Sequence, residues 1–189
     1  MLRSAVAAAI LSLACCSAYA QKLGVDFDPV KTQITWMLAG NVHTVHGTFR
    51  LKEGHVAVDP GNGAISGDLV ADAGSGESGN SSRDKRMNKE ILESERFQEI
   101  RLTPRRVDGA VSLTGHSAVQ VTGTFLIHGT THQVTIPMDV SFSGVNVTGT
   151  GKFSIPYVDW GMKDPSNFLF KVDKSVEVEI VAVGRLAAK

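Results

Sequence analysis

Cysteine is almost missing from this 189-residue chain: only Cys15 and Cys16 occur, both within the first twenty residues. Their absence downstream excludes disulfides, iron–sulfur ligation and thiol catalysis from residues 21–189. Excess charge is missing too. Nineteen Lys and Arg face nineteen Asp and Glu, and leaving out Arg3 makes the balance 18 to 19. That removes the electrostatic case for nucleic acid or an anionic membrane as partner. After the first twenty residues no apolar run is long enough for an integral membrane segment. The Gly-rich "DAGSGESGN" (72–80) lacks the Lys-Ser/Thr ending of a phosphate loop, and no Gly-x-Ser-x-Gly elbow occurs. No catalytic constellation and no cofactor are therefore expected.

What is present begins with a leader. "MLRSAVAAAILSLACCSAYA" has one basic residue, a short apolar run and a small-x-small end at Ala18-Tyr19-Ala20. This is the layout of a secretory signal peptide, so cleavage near Ala20 and a periplasmic or secreted domain over 21–189 are expected. A lipid anchor at Cys15 or Cys16 has little support: the residue three before Cys15 is Ser12, where an aliphatic residue would be expected.

The remaining chain alternates apolar and polar residues. Val119, Val121, Phe125 and Ile127 share one face, then Val134, Ile136, Met138, Val140 and Phe142 another, with the turn placed at "GTT" (129–131). This predicts an antiparallel hairpin. Val147, Gly149, Gly151, Phe153 and Ile155 are in phase, as are Val176, Val178, Ile180 and Ala182. Ile34, Trp36 and Leu38 form a shorter stripe, followed by Val45, Gly47, Phe49 and Leu51. About eight to ten strands with one apolar face indicate an all-β domain, either closed barrel or sandwich. The in-phase Gly47, Gly67, Gly149 and Gly151 argue for space inside it.

One segment breaks the pattern. "SGNSSRDKRMNKEIL" (78–92) is rich in charge and poor in β-branched residues. Ser81 with Asp84 fits a capping-box spacing, and Met87, Ile91 and Leu92 form a narrow apolar stripe. Such a helix suits an edge or a mouth, so it reads as a cover.

Several of these pieces resemble the YceI-like family of exported, lipocalin-like proteins. They are "GNSSRDKRMNKEILESERFQEIRLTP", "VTGTFLIHGTTHQVTIPMDVSF", "FSIPYVDWGM" and "SVEVEIVAV". The most specific are Arg83-Asp84, the "TGTFLIHGTTHQV" hairpin and Asp159-Trp160-Gly161. The resemblance, spanning roughly Val25 to Val183, implies an eight-stranded antiparallel barrel with a helix over one end. It also implies a polyisoprenoid-, quinone- or fatty-acid-like lipid inside, and it leaves room for a homodimer through a solvent-facing strand. Arg86, Ile91, Leu92 and Val158 depart from the family pattern near the expected mouth.

The candidate ligand-binding residues follow from phase and place. Trp36, Phe49, Val121, Phe125, Ile136, Met138, Phe142, Phe153 and Ile180 are expected to line the interior, with Trp160 either packing in the core or meeting ligand. His43 is in phase with Val45 and Phe49, which places it inward with a need for a polar partner. Arg83 and Met87 are expected at the mouth. His43 and His46 fall on opposite sides of a strand, and His128 with His132 supplies only two ligands, so no metal site is expected. The rival readings are an interaction protein with a filled barrel and a small lipid- or quinone-handling enzyme.

Overall fold

The computed structural model describes residues 22–187. The leader read in residues 1–20 lies outside them. Ten strands form one sheet: β1 (Leu23–Phe27), β2 (Gln33–Leu38), β3 (Val45–Phe49), β4 (Leu51–Val58), β5 (Ile65–Asp72), β6 (Glu99–Asp108), β7 (Gly115–Ile127), β8 (Thr130–Ser143), β9 (Asn146–Ile155) and β10 (Val176–Leu186). The order is β1-β4-β5-β6-β7-β8-β9-β10-β2-β3, and β10 also pairs with β1. That second pairing closes the sheet.

The ten strands make eight staves. β10 takes β1 along Gly184–Leu186 and β2 along Glu177–Val181, so β1 and β2 are one stave broken by a turn. β3 pairs with β2 and β4 with β1, across a break at Arg50. The result is the closed, eight-stranded antiparallel, lipocalin-like barrel. β1 escapes a reading by alternation because its five residues are too few to show a period.

Two local expectations are corrected. The β7–β8 turn is not "GTT" but His128-Gly129, with Ile127 opposite Thr130 and φ of 49° and 73°. Positive φ at both central residues matches the twist of the flanking strands, and the shorter turn shifts the register so that His132 lies opposite Phe125 and not His128. The helix, α1 (Ser81–Arg86), is capped by Asn80 and not by Ser81: the Asn80 side chain accepts from Arg83 N. It runs on as a π-helical turn, Met87–Ile91, closed by Leu92 N donating to Met87 O.

The barrel interior has two halves. Near one end, Val25, Val56, Phe142 and Val147 form one cluster, and Val58, Val107 and Val119 another. Together they plug that end with side chains. A larger cluster around Trp36, Phe125, Ile136, Phe153 and Ile180 occupies the other half, and Met87 and Ile91 pack on it from the helical segment.

Candidate functional site

The larger half is hollow. A cavity of about 590 Å³ opens under the helical segment. Its wall is built by alternation: Ile34, Trp36 and Leu38 from β2, Val45 and Phe49 from β3, Leu69 and Ala71 from β5. Leu51 from β4, Ile100 and Leu102 from β6, Phe125 and Ile127 from β7, Ile155 from β9, and Val176, Val178 and Ile180 from β10 complete it. β8 contributes no wall residue, because Ile136 is packed behind the lining and is 1% exposed.

The roof comes from two non-strand segments. Ser82, Arg83, Arg86, Met87, Ile91 and Leu92 cover one side. Tyr157, Met162, Pro165, Asn167, Phe170 and Val172, from the loop joining β9 to β10, cover the other. Polar side chains occur only in this roof and at His43. A cavity with an apolar body and polar groups at one end can hold a long apolar molecule by removing its surface from water.

The helical segment is held by its own charges. Ser78 N and Oγ both donate to the Asp84 carboxylate, the amide at 2.9 Å. Arg83 closes the knot, with Nε 2.7 Å from Ser78 Oγ and a second nitrogen 2.8 Å from the Ser78 carbonyl. Lys163 Nζ lies 2.7 Å from Glu90 Oε2, joining the two halves of the roof, and Arg86 approaches the same oxygen at 3.4 Å. The Lys163 hydrogen bond, helped by Arg86, holds the Glu90 carboxyl below its usual range. Tyr157 donates to the Asp173 carbonyl at 2.9 Å. Burial first, then Asp164 and Asp173, pushes its phenol up to about 12.

Of the sequence-named residues, Trp36, His43, Phe49, Arg83, Met87, Phe125 and Ile180 border the cavity. Val121, Ile136, Met138, Phe142, Phe153 and Trp160 do not. Val121 and Met138 pack on the plugged end, and Phe142 belongs to the plug. Phe153 is buried edge-on against Phe125, with ring centroids 5.6 Å apart. Trp160 stacks on His132 at 3.9 Å and 3° instead of facing the cavity. Desolvation lowers the His132 pKa.

His43 requires a correction. It precedes β3, is exposed, and reaches the cavity only at its mouth, because the strand begins at Val45. The glycines are corrected as well. A Cβ on Gly47 would fall 2.3 Å from the Trp36 indole, and one on Gly151 2.2 Å from Met138 Sδ. At Gly149 the nearest atom is Met138 Cε, 3.1 Å away, and at Gly67 it is the His55 carbonyl at 2.1 Å. Side chains and backbone use that room, and the cavity lies elsewhere.

Sequence reasoning missed strand residues of the wall, among them Leu69 and Ala71 on β5 and Ile100 and Leu102 on β6, and all six of the loop between β9 and β10, which has no alternation to read. Among the described residues, no three His, Cys, Asp or Glu side chains converge as metal ligands. The His–carboxylate pairs His55–Asp26 and His128–Glu93 lie away from the cavity wall. No helix among the described residues is long and apolar enough to cross a membrane.

A family model described as a YceI-like domain matches residues 26–183. Among solved structures, BcnA of Burkholderia cenocepacia superposes with a TM-score of 0.69 at 20% identity, over 84% of this chain and 99% of that one. A polyisoprenoid-binding domain from Saccharophagus degradans, implicated in plant cell wall breakdown, gives 0.66 at 17% identity, over 88% and 100%. A Campylobacter jejuni YceI protein gives 0.57 at 13% identity, over 79% and 85%. No curated protein matches significantly.

Proposed function

The chain belongs to the YceI-like family, and from that premise we propose that it is a non-enzymatic carrier of a long apolar lipid. The ligand is polyisoprenoid-, quinone- or fatty-acid-like and lies inside the barrel. The single observation that carries this reading is the cavity of about 590 Å³, apolar along its body and polar only toward its mouth. That volume is in the range of pockets that enclose one ligand of roughly 300–1,000 Å³. The similarity to the polyisoprenoid-binding domain from Saccharophagus degradans supports the same ligand class. Trp36, Phe49, Phe125, Ile180 and Met87 act as wall, and Arg83 and His43 meet the head group. With the far end plugged, a chain longer than the cavity leaves through the mouth.

Export completes the proposal. Residues 1–20 serve as a signal peptide and deliver the barrel to the periplasm or the exterior. There a binding protein keeps an apolar molecule out of water between membranes.

The test is native mass spectrometry of protein purified from the periplasm of a bacterial host without detergent, followed by organic extraction. One adduct of lipid-like mass is the expected result. No adduct, even after incubation with quinones and prenyl lipids, would overturn the reading.

A further inference from the structure

The loop that roofs the cavity also presents an apolar tip. Phe168 and Leu169 lie outside the cavity wall and are 93% and 68% exposed; Phe170 borders the cavity and is still 52% exposed. The tip is a built turn. Asn167 Oδ1 accepts from Leu169 N at 3.0 Å and from Phe170 N at 2.8 Å. Asn41 fastens it to the segment between β2 and β3, donating to the Leu169 carbonyl at 3.3 Å and accepting from Lys171 N at 3.0 Å. That tie brings Val42, 64% exposed, to the same rim as the mouth residue His43.

We propose that Val42, Phe168, Leu169 and Phe170 form a docking tip that enters the headgroup boundary of a phospholipid bilayer and sets the cavity mouth against it. The proposal rests on the carrier reading. An apolar cargo has almost no free concentration in water, so loading is fast only when the mouth meets the bilayer directly. Aromatic and leucine side chains beside a mouth are what such an interface takes.

A second copy of the chain fits the tip less well. An aromatic side chain buries about 150–250 Å², so two of them with Leu169 and Val42 fall short of the roughly 800 Å² per partner of a stable interface. Charge separates the bilayer from an anionic partner. In the loop, Lys163, Lys171 and Lys174 are balanced by Asp159, Asp164 and Asp173. Docking is therefore driven by apolar insertion and is insensitive to salt, unlike attachment through a polybasic patch.

The experiment compares the full chain with a Phe168→Ser, Leu169→Ser double variant, neither position being part of the cavity wall. Both are sedimented with vesicles of phosphatidylcholine, with and without phosphatidylglycerol, at low and high salt. Sedimentation velocity without vesicles and extraction of bound lipid accompany the binding. The expected result is that the unsubstituted protein binds both vesicle types at both salt levels, and that the variant binds at least tenfold more weakly with equal lipid content. Four results would overturn the docking tip: no vesicle binding, equal binding by the variant, binding only to phosphatidylglycerol that salt abolishes, or a dimer that the substitutions dissociate. Vesicle binding by a protein that never contains lipid would instead remove the carrier reading and leave the docking tip standing.

Discussion

Met138 fills the space that Gly151 leaves. The two residues are directly opposed on β8 and β9, and a Cβ on Gly151 would fall 2.2 Å from Met138 Sδ. Met138 packs on both the cavity-side cluster and the plug cluster, so it stands between the hollow half and the filled one. Met138→Ala should lengthen the cavity toward the plug. Because Met138 is only partly buried, the expected cost is about 1–3 kcal/mol, under the usual range for a fully buried Met. Urea melts check the stability, and the masses of extracted lipid should shift upward. Gly151→Ala should destabilise without lengthening the cavity, since Ile136 Cγ2 at 3.0 Å and the Pro137 carbonyl at 3.2 Å also crowd the new methyl.

The two tryptophans should report different things. Trp36 borders the cavity, while Trp160 lies against His132, outside the wall. Titration with an apolar ligand should therefore change Trp36 emission and leave Trp160 nearly unaffected. Trp36→Phe should abolish the fluorescence change and Trp160→Phe should preserve it. Trp36→Ala should go further and strip the purified protein of its lipid. Full lipid content in Trp36→Ala would remove Trp36 from the binding wall.

Tyr157 carries a pH prediction. Its phenol is pushed from the ordinary 10.0 up to about 12, chiefly by burial. The folded-state value lies above the unfolded one, so the contribution is complete below pH 10 and is lost as the pH rises toward 12. Stability should fall across that interval, and Tyr157→Phe should flatten this part of the slope. The same substitution removes the hydrogen bond to the Asp173 carbonyl, which costs about 1 kcal/mol at neutral pH. Phenolate absorbance gives a second check. In a chain without residues 1–20, Tyr157 is the only tyrosine, and it should not ionise until about pH 12 while the barrel is folded.

Alternation made the barrel legible but not the position of a residue along its axis. Val121, Ile136, Met138, Phe142 and Phe153 have the phase of inward residues, and they do face inward. A period of two says which side of the sheet a side chain takes and nothing about its depth. Depth decides whether it meets cavity or plug. His43 shows a second limit, since phase has no meaning before the strand starts at Val45. Gly47 and Gly151 show a third: a missing side chain is room for a neighbour, and Trp36 and Met138 are long enough to take it. The roof between β9 and β10 follows no period. Its wall residues Tyr157, Met162 and Phe170 could be found only through the hydrogen bonds that fold it.

The other half of the roof supplies the last prediction. No residue of α1 is buried, so its persistence depends on the bonds at its start and not on burial of its own residues. Asn80 supplies two of them: its side chain accepts from Arg83 N at 3.1 Å and its carbonyl from Asp84 N at 2.9 Å. Asn80→Ala removes the first and should cost about 1 kcal/mol locally. The barrel staves do not use these bonds, so global denaturant unfolding should hardly move. Hydrogen exchange at the Arg83 and Asp84 amides should accelerate. If the cargo passes beneath α1, its release should quicken by roughly fivefold, the factor that about 1 kcal/mol sets. Ser78→Ala, which removes the hydroxyl's bonds to Asp84 and Arg83 and leaves the two backbone ones, should quicken it further. Faster amide exchange with unchanged lipid release would place the exit on the Phe170 side, beside the proposed docking tip.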